Sequence, residues 1–306
     1  MIGRRLALGA FVMWGCVTLI FVIVRLAPGD QASVALGPDA TADEIAAART
    51  RLGLDEPLVV QYVSYLGRVL RLDFGESYRL GQPAMDAVLS RFPATLQLTV
   101  AAMAMAIVAG LILGCLAGGR PNGVVDRVLS STAISLQSFP TFWVGIMLIL
   151  VFALHLRALP SAGSGSLSHL VLPAVTLALP QTAIVARLTR SSLAESMQDG
   201  YVQTARSKGL TEREVLVGHA LKNSLIPVVT IIGIQTGVLL GGSVVVENVF
   251  AWPGLGSLIV DSVAARDYAV VQAAALLIAG VVVVLNLLAD LTYARLDPRI
   301  RVGAGA

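Results

Sequence analysis

The sequence predicts an all-α integral membrane protein with six transmembrane helices. Hydrophobic residues occupy 56% of the 306 positions and charged residues only 13%, and the mean hydropathy is +0.79. A soluble domain carries about 25% charged residues. Several uncharged apolar runs also reach the roughly 20 residues that a helix needs to cross a bilayer. A large soluble helical core, the alternative, has too few charges here to cover its surface.

The first predicted helix covers the apolar run from Leu6 to Val24, which follows two arginines. Its length and the lack of an A-x-A cleavage site favour an uncleaved membrane helix over a signal peptide. We therefore assign residues 1–27 to the first transmembrane helix. Residues 28–93 mix acidic and basic side chains, and we predict that they form an external segment with short amphipathic helices.

Residues 94–306 are predicted to form a core domain with five further spans. Hydropathy places these spans at Thr95–Gly118, Leu129–Leu156, Leu170–Ala186, Leu225–Val246 and Tyr268–Ala289. If both termini are cytoplasmic, Arg157 and Arg266 are the only basic residues in the opposite short loops. The positive-inside rule therefore predicts that both termini are cytoplasmic and that the segment after the first helix lies outside.

Sequence motifs for catalysis or nucleotide binding are missing. The sequence has no GxxxxGK[ST], HExxH or GxSxG pattern, so it cannot bind ATP through a P-loop of its own. His155, His169 and His219 fall on both sides of the predicted membrane, which argues against a metal site. The basic residues are scattered, which argues against nucleic-acid binding. An intramembrane enzyme would need a catalytic pair, and the spans offer Asp290 alone. We predict no catalytic residue, no metal ligand and no cofactor in this chain.

A charged loop on the predicted cytoplasmic side has the pattern of a docking element. Tyr201–Ser207 is predicted to form a short helix that stops near Gly209, a residue suited to a left-handed cap. Thr211 and Glu214 have the spacing of a capping box, which predicts a second helix that runs to about Leu221. A plain solvated loop is the alternative. Two short helices joined by a glycine turn favour docking.

This loop resembles the EAA loop of bacterial ABC importer permeases, whose pattern is E-A-A, three residues and G. The chain keeps the spacing with Gln203-Thr204-Ala205 and Gly209, and His219-Ala220-Leu221 matches the form found in peptide importers. The resemblance extends over nearly the whole chain, through Arg25-Leu26-Ala27-Pro28-Gly29-Asp30, Ser138-Phe139-Pro140-Thr141-Phe142, Pro253-Gly254-Leu255-Gly256 and Asp297-Pro298-Arg299-Ile300-Arg301. The chain is similar to the permeases of dipeptide and oligopeptide importers.

The resemblance implies a type I ABC importer permease fold in the bacterial inner membrane, in a transport subunit that is not an enzyme. It implies four partners: a second homologous permease, two ATPase subunits that hold ATP and Mg, and an extracytoplasmic peptide-binding protein. The ATPase contact is expected within residues 200–223, at Gln203, Thr204, Ala205, Arg206, Lys208, Gly209, Leu210, Glu212, Arg213 and His219.

Polar side chains within spans are candidates for a peptide path, because a peptide needs hydrogen-bond partners on its way. These candidates are Gln137, Ser138, Gln235, Ser243, Glu247 and Asn286. The stretch Phe250–Ile259 is too short to span, and it predicts an external mouth with Pro253, Gly254 and Gly256. Arg266 and Asp267, in the outer connection before the last span, complete this predicted mouth. Import of nickel, glutathione or another small solute by the same architecture stays open. A stand-alone secondary transporter, expected to contain inverted repeats, is the alternative outside this class.

Overall fold

A computed structural model of the protein describes residues 2–26, 31–36, 40–51, 53–119, 121 and 123–296. Residues 27–30 and 297–301, which belong to two of the motifs that carry the family resemblance, lie outside the described residues. The side chains of Arg213 and Asp290 also lie outside the description. Helices dominate the part that is described.

In chain order the helices are α1 (Ile2–Leu26), α2 (Gln31–Leu36), α3 (Ala42–Arg51), α4 (Leu58–Leu70), α5 (Ala84–Gly118), α6 (Val124–Ser138), α7 (Thr141–Leu148), α8 (Leu167–Ser196), α9 (Gly200–Ser207), α10 (Glu212–Glu214), α11 (Leu221–Gly242), α12 (Val244–Val249), α13 (Leu255–Ala264) and α14 (Tyr268–Leu296). Strands β1 (Glu76–Ser77) and β2 (Gln82–Pro83) pair antiparallel between α4 and α5. Two π-helical stretches, Ile149–His155 and Val215–Ala220, follow α7 and α10.

Within the described residues, five helices are long and apolar enough to cross a membrane. They contain the spans Arg5–Leu26, Ala84–Gly118, Leu167–Ser196, Val215–Gly242 and Tyr268–Ala289. A bent pair, α6 with α7 and its π-helical continuation, makes a sixth span if it is counted as one. The predicted all-α membrane fold is confirmed. The placement of 28–93 outside and of both termini in the cytoplasm stays a prediction.

The predicted third span, Leu129–Leu156, is divided into two helices. Its two halves are bent by 99° at the break between Ser138 and Thr141. Phe139 there is extended, with ψ 134°. The cause is Pro140, because the ring of a proline disfavours the helical conformation of the preceding residue.

Three other predicted boundaries also move. The second span begins at Ala84, because Pro93 lies inside α5 without ending it. The fourth continues past Ala186 to Ser196. The predicted loop helix does not end near Leu221, because α10, the second π-helical stretch and α11 follow one another without a gap. A single glycine in that stretch costs a helix only about 1 kcal/mol. The loop is therefore shorter than expected.

The chain forms two compact units. The first comprises Met1–Thr95 and Pro253–Val283. Its main core contains Ala84, Val88, Leu255, Leu258, Val270, Ala273 and Ala274. A second cluster holds α4 against α1, where Tyr65 packs with Val17 and the hydroxyls of Thr18 and Tyr62 lie 2.6 Å apart.

The second unit comprises Leu96–Trp252 and Val284–Ala306. Helix α8 is the central helix of this unit. In its apolar 18-residue stretch 56% of the residues are buried, compared with at most 33% in the other spans. Helices α6, α7, α11 and α12 pack around it. A glycine seam, formed by Gly110, Gly114 and Gly118 of α5, brings α5 against α8. A Cβ atom added at Gly114 would lie 2.5 Å from Cβ of Thr189, so only glycine permits this approach.

Candidate coupling site and translocation residues

The coupling elbow, residues 200–215, has the local geometry that its sequence predicts. Helix α9 ends at Ser207, and Gly209 has φ +81°, the left-handed conformation that glycine adopts without strain. The backbone N–H of Thr211 donates to Oε2 of Glu214 at 2.8 Å, and the N–H of Glu214 donates to Oγ1 of Thr211 at 3.4 Å. This reciprocal pair is the predicted capping box, and it fixes where α10 begins.

One face of the elbow is anchored in the protein. Val202 and Ala205, three residues apart on α9, are 0% and 5% exposed. They pack with Leu193 of α8 and with Val215 and Ala220 of the following helix. The family resemblance predicts an ATPase contact at Ala205, but its methyl group packs against α8 and the following helix of the same chain. Burial of this apolar pair against α8 and the helix that leads into α11 makes the elbow a rigid attachment to both.

The opposite face of the elbow is exposed and polar. It presents Gln203, Thr204, Arg206, Lys208, Leu210 and Glu212. Arg206 donates from Nε and Nη2 to the two carboxylate oxygens of Glu212, at 2.8 and 3.1 Å, across the Gly209 turn. His219 is also exposed, on the second π-helical stretch. The exposed face is therefore organised before any partner binds.

Hydrogen bonds shift the pKa values of three charged groups on this face. The bond from Arg206 lowers the pKa of Glu212, and the same bond raises the pKa of Arg206. The hydrogen bond from the side chain of Thr211 lowers the pKa of Glu214. All three groups are therefore charged at neutral pH, which suits the recognition of a polar groove.

The six path candidates all belong to the second unit. Few of them are hydrogen-bonded to one another. Gln137 and Ser138 lie at the bend after α6, and the hydroxyl of Ser138 donates to its own helix at Ile134. Gln235 of α11 donates from Nε2 to Oε1 of Gln181 on α8 at 2.7 Å. Asn286 is exposed on α14. Among the described residues, these hydrogen bonds therefore do not join the candidates into a single polar cluster.

Ser243 and Glu247 are two path candidates joined by a hydrogen bond. Both are 0% exposed, and the Ser243 hydroxyl donates to Oε1 of Glu247 at 2.9 Å. Their helix α12 packs on α7 and α8. In this conformation the pair is enclosed by protein, so it does not line an open passage.

Three of the five predicted mouth residues, Gly254, Gly256 and Asp267, are buried in the first unit. Gly254 and Gly256 are buried around the start of α13, and Pro253 precedes them, half-buried. Asp267 accepts hydrogen bonds from the hydroxyl of Ser77 and, at 3.4 Å, from the N–H of Val270, which caps α14. Arg266 is exposed. Most of this set holds the fold together, and Arg266 alone of the five is open to solvent.

Two polar pairs that sequence reasoning missed connect helices of the second unit. Asp126 of α6 accepts two hydrogen bonds from Arg190 of α8, at 2.9 and 2.6 Å, and Asp126 is buried. Gln181 of α8, the acceptor from Gln235, is 7% exposed. An amide within an apolar run was a usable signal for Gln181. No local signal pairs Asp126 with a residue 64 positions later.

Comparisons with known proteins agree with this architecture. A family profile described as "Binding-protein-dependent transport system inner membrane component" matches residues 106–302. A second profile, for the N-terminal part of such membrane components, matches residues 1–99. The chain is 44% identical over 283 residues to the glutathione transport system permease protein GsiC of Escherichia coli (strain K12), covering 92% of each chain. GsiC of Salmonella typhimurium (strain LT2) matches equally, with 44% identity and 92% coverage of each chain.

Solved structures support the same fold. A chain of the MetNI methionine ABC transporter, in an inward-facing conformation, aligns with a TM-score of 0.57 at 21% identity, covering 69% of this chain and 96% of that one. A chain of an amino acid ABC transporter solved with histidines aligns with a TM-score of 0.52 at 19% identity, covering 70% and 94%. The predicted type I ABC importer permease fold and inner-membrane location are confirmed. The chain belongs to the family of inner membrane components of binding-protein-dependent transport systems.

Proposed function

We propose that this permease is one half of the transmembrane pathway of an importer for short peptides, driven by ATPase subunits that dock on the coupling elbow. The structure of the elbow is the observation that supports this proposal. Its buried side, Val202 and Ala205, is fixed to α8 and the helix leading into α11, while its exposed side is polar and hydrogen-bonded in advance. A push on the exposed side is therefore transmitted to two transmembrane helices. Such a rigid link is what a two-state bundle needs to respond to ATPase closure.

The partners of the proposed assembly are a second homologous permease, two ATPase subunits holding ATP and Mg, and an extracytoplasmic binding protein. Membership of a binding-protein-dependent transport family favours this assembly and does not favour a stand-alone secondary transporter. The proposed ATPase contacts are Gln203, Thr204, Arg206, Lys208, Gly209, Leu210, Glu212, Arg213 and His219. Leu210 is the apolar contact among them.

The proposed substrates are short peptides, and glutathione is the first to test. Glutathione is a tripeptide, and the curated relatives at 44% identity are named as glutathione transport permeases. Gln235 with Gln181 offers amide donors and acceptors between α8 and α11, which suit weak binding of a peptide backbone. Peptides and glutathione share these groups, whereas nickel needs nitrogen, oxygen or sulfur ligands in a defined geometry.

The test uses the full transporter, co-expressed with the second permease, the ATPases and the binding protein, and reconstituted in liposomes. ATP hydrolysis and uptake are measured with glutathione, with dialanine and with Ni²⁺. We expect glutathione or dialanine to stimulate hydrolysis and to accumulate inside. Stimulation by Ni²⁺ alone would overturn the peptide assignment.

Docking is tested separately with the charge reversal Lys208→Glu. We expect this change to reduce the amount of ATPase that co-purifies, because Lys208 is exposed on the proposed contact face. Arg157→Glu is the matched control, since Arg157 is exposed in a loop predicted on the opposite side of the membrane. Equal loss of ATPase from both variants, or no loss from either, would contradict docking on the elbow.

A further inference from the structure

The first unit contains a cavity of about 170 Å³, and the predicted mouth residues Arg266 and Asp267 are among the residues that line it. We call it the arginine pocket, because Arg25, Arg68 and Arg266 all line it, together with Tyr65, Asp73 and Asp267. Arg25 closes the C-terminal end of α1, and Arg68 and Tyr65 come from α4. The pocket is therefore built from three separate stretches of one compact unit.

Two donors in this pocket lack an acceptor within the described part of the chain. Tyr65 is 5% exposed, and its hydroxyl has no hydrogen-bond partner. Nε of Arg68 is buried and likewise has none. Burial raises the pKa of Tyr65 to about 12, so its hydroxyl keeps its proton and stays a donor at neutral pH. A buried donor without a partner costs free energy, and a native protein normally supplies a partner for it.

The carboxylates that line the pocket do not satisfy these donors. Asp73 accepts the N–H of Gly75 at 3.1 Å. Asp267 accepts the hydroxyl of Ser77 and caps α14. Glu76, the third acidic group, is exposed. Within the described residues none of these three forms an ion pair with Arg68, while Arg25 and Arg68 repel each other. Within the described residues, no carboxylate accepts a hydrogen bond from Nε of Arg68 or from the hydroxyl of Tyr65.

The pocket lies at the level where membrane spans end. Arg25 is next to the last residue of the span Arg5–Leu26, and Tyr268 and Gln272, which also line the pocket, begin the span Tyr268–Ala289. Phospholipid headgroups occupy this level of a bilayer. Arginine at a helix end reaches the same level by extending its charged group away from the hydrocarbon.

Helix α4 adds an apolar surface beside the donors. It buries Gln61 and Tyr65 on one side. On its outward side Val59, Val63 and Leu70 are 74%, 61% and 85% exposed. A short helix with one such apolar side is typical of helices that lie in the membrane interface. A ligand that fits both features needs an anionic group that binds in the arginine pocket and a hydrocarbon part that covers the apolar side of α4.

We propose that the arginine pocket binds the phosphate group of an anionic phospholipid, with Arg68 and the Tyr65 hydroxyl as hydrogen-bond donors. The phosphate oxygens accept from Arg68 and Tyr65, and the acyl chains run beside α4. A free phosphate ion or a peptide carboxylate offers the same oxygens, but neither covers the exposed apolar side of α4. The lipid would tie α4 to the ends of α1 and α14.

The experiment uses the whole transporter in nanodiscs of phosphatidylcholine with a minor fraction of phosphatidylglycerol. Native mass spectrometry after detergent release counts the phosphatidylglycerol molecules that stay bound. We expect Arg68→Gln to weaken this binding about tenfold, because a charge-assisted hydrogen bond is lost. Tyr65→Phe keeps the ring packing and removes only the donor, and we expect a decrease of roughly threefold.

Arg71→Gln is the matched control. It removes the same charge at the end of the same helix, but Arg71 is exposed and does not line the pocket. Equal loss of phosphatidylglycerol from Arg68→Gln and Arg71→Gln would overturn the proposal. A melting temperature that is unchanged in Tyr65→Phe makes a drop in its lipid binding attributable to the hydroxyl.

Competition separates the possible sources of the anion. Retention of phosphatidylglycerol in the presence of equimolar inorganic phosphate or dialanine supports a lipid site. Displacement of the lipid by either small anion would overturn the assignment to a lipid. Equal retention of phosphatidylcholine and phosphatidylglycerol would do the same, because it would show no selection for negative charge.

Discussion

The glycine seam and the coupling elbow, both in the second unit, are built by opposite means. In the seam, three glycines without side chains let two long helices touch, and Thr189 and Val185 of α8 fill the space. In the elbow, short helices are held by a capping box, a left-handed glycine and an exposed ion pair. The seam depends on packing between distant residues, whereas the elbow depends on bonds within a few residues. Damage to the seam should therefore lower the stability of the fold, and damage to the elbow should weaken the proposed coupling to an ATPase.

The largest effect is expected from Gly114→Val. The added side chain would overlap Thr189 and the carbonyl oxygen of Ala186, which lie 2.5 and 2.7 Å from a Cβ at this position. We expect a loss of about 3 kcal/mol or more of stability, because a packed interface cannot absorb the volume. Thermal melting of the purified transporter measures it. Gly242→Val, where a Cβ meets open space, is the control, and equal melting of the two variants would contradict the seam.

A smaller loss is expected from Asp126→Asn, which removes the carboxylate that accepts from Arg190. Breaking a fully buried ion pair costs about 3–5 kcal/mol. The side chain of Arg190 is 31% exposed, so solvent screening reduces the expected loss to about 1–2 kcal/mol. Chemical denaturation of the single variants and of Asp126→Asn with Arg190→Gln forms a double-mutant cycle. A coupling energy near zero would mean that the pair does not connect α6 and α8.

Gly209→Ala should change coupling more than stability. An alanine Cβ finds open space there, but φ +81° strains it by about 1 kcal/mol. We expect the ratio of substrate-stimulated to basal ATP hydrolysis to fall, because the elbow turns differently. Gly200→Ala is the matched control, with open space and no positive φ. An unchanged ratio in Gly209→Ala would show that the turn does not set coupling.

The smallest effect is a pH dependence of the elbow. The pKa values of Glu212 and Glu214 are lowered by hydrogen bonds from Arg206 and Thr211. A carboxyl with a lowered pKa stabilises the folded elbow above its ordinary pKa of about 4.3, and this contribution is lost as the pH falls through the lowered value. Amide hydrogen exchange in α9 and α10, corrected for the intrinsic rate, should therefore show less protection at acidic pH than at neutral pH. Equal protection at both would mean that these bonds do not hold the elbow.

The elbow was predictable because its signals are local. Thr211 and Glu214 are three residues apart, and Gly209 lies two residues after the end of α9. The cap and the turn could therefore be predicted from residues close together in the sequence. The predicted end of the second loop helix, near Leu221, was wrong because it depends on contacts between residues farther apart in the chain. The helix after the elbow runs on into α11, because buried Val215 and Ala220 continue its apolar stripe into the packing with α9.

Composition and hydropathy by themselves determined that the protein is a helical bundle in a membrane, because few charges and uninterrupted apolar runs of about 20 residues fit membrane-spanning helices. The sequence also determined the elbow, and its motifs indicated an importer permease. Only the tertiary structure decided that Asp126 pairs with Arg190, that Ala205 faces inward, and that Ser243 and Glu247 are enclosed. It alone brought Arg68 and Tyr65 to one pocket with Arg266. Contacts between residues far apart in the chain depend on how the helices pack, and helix packing cannot be predicted from any short stretch of sequence.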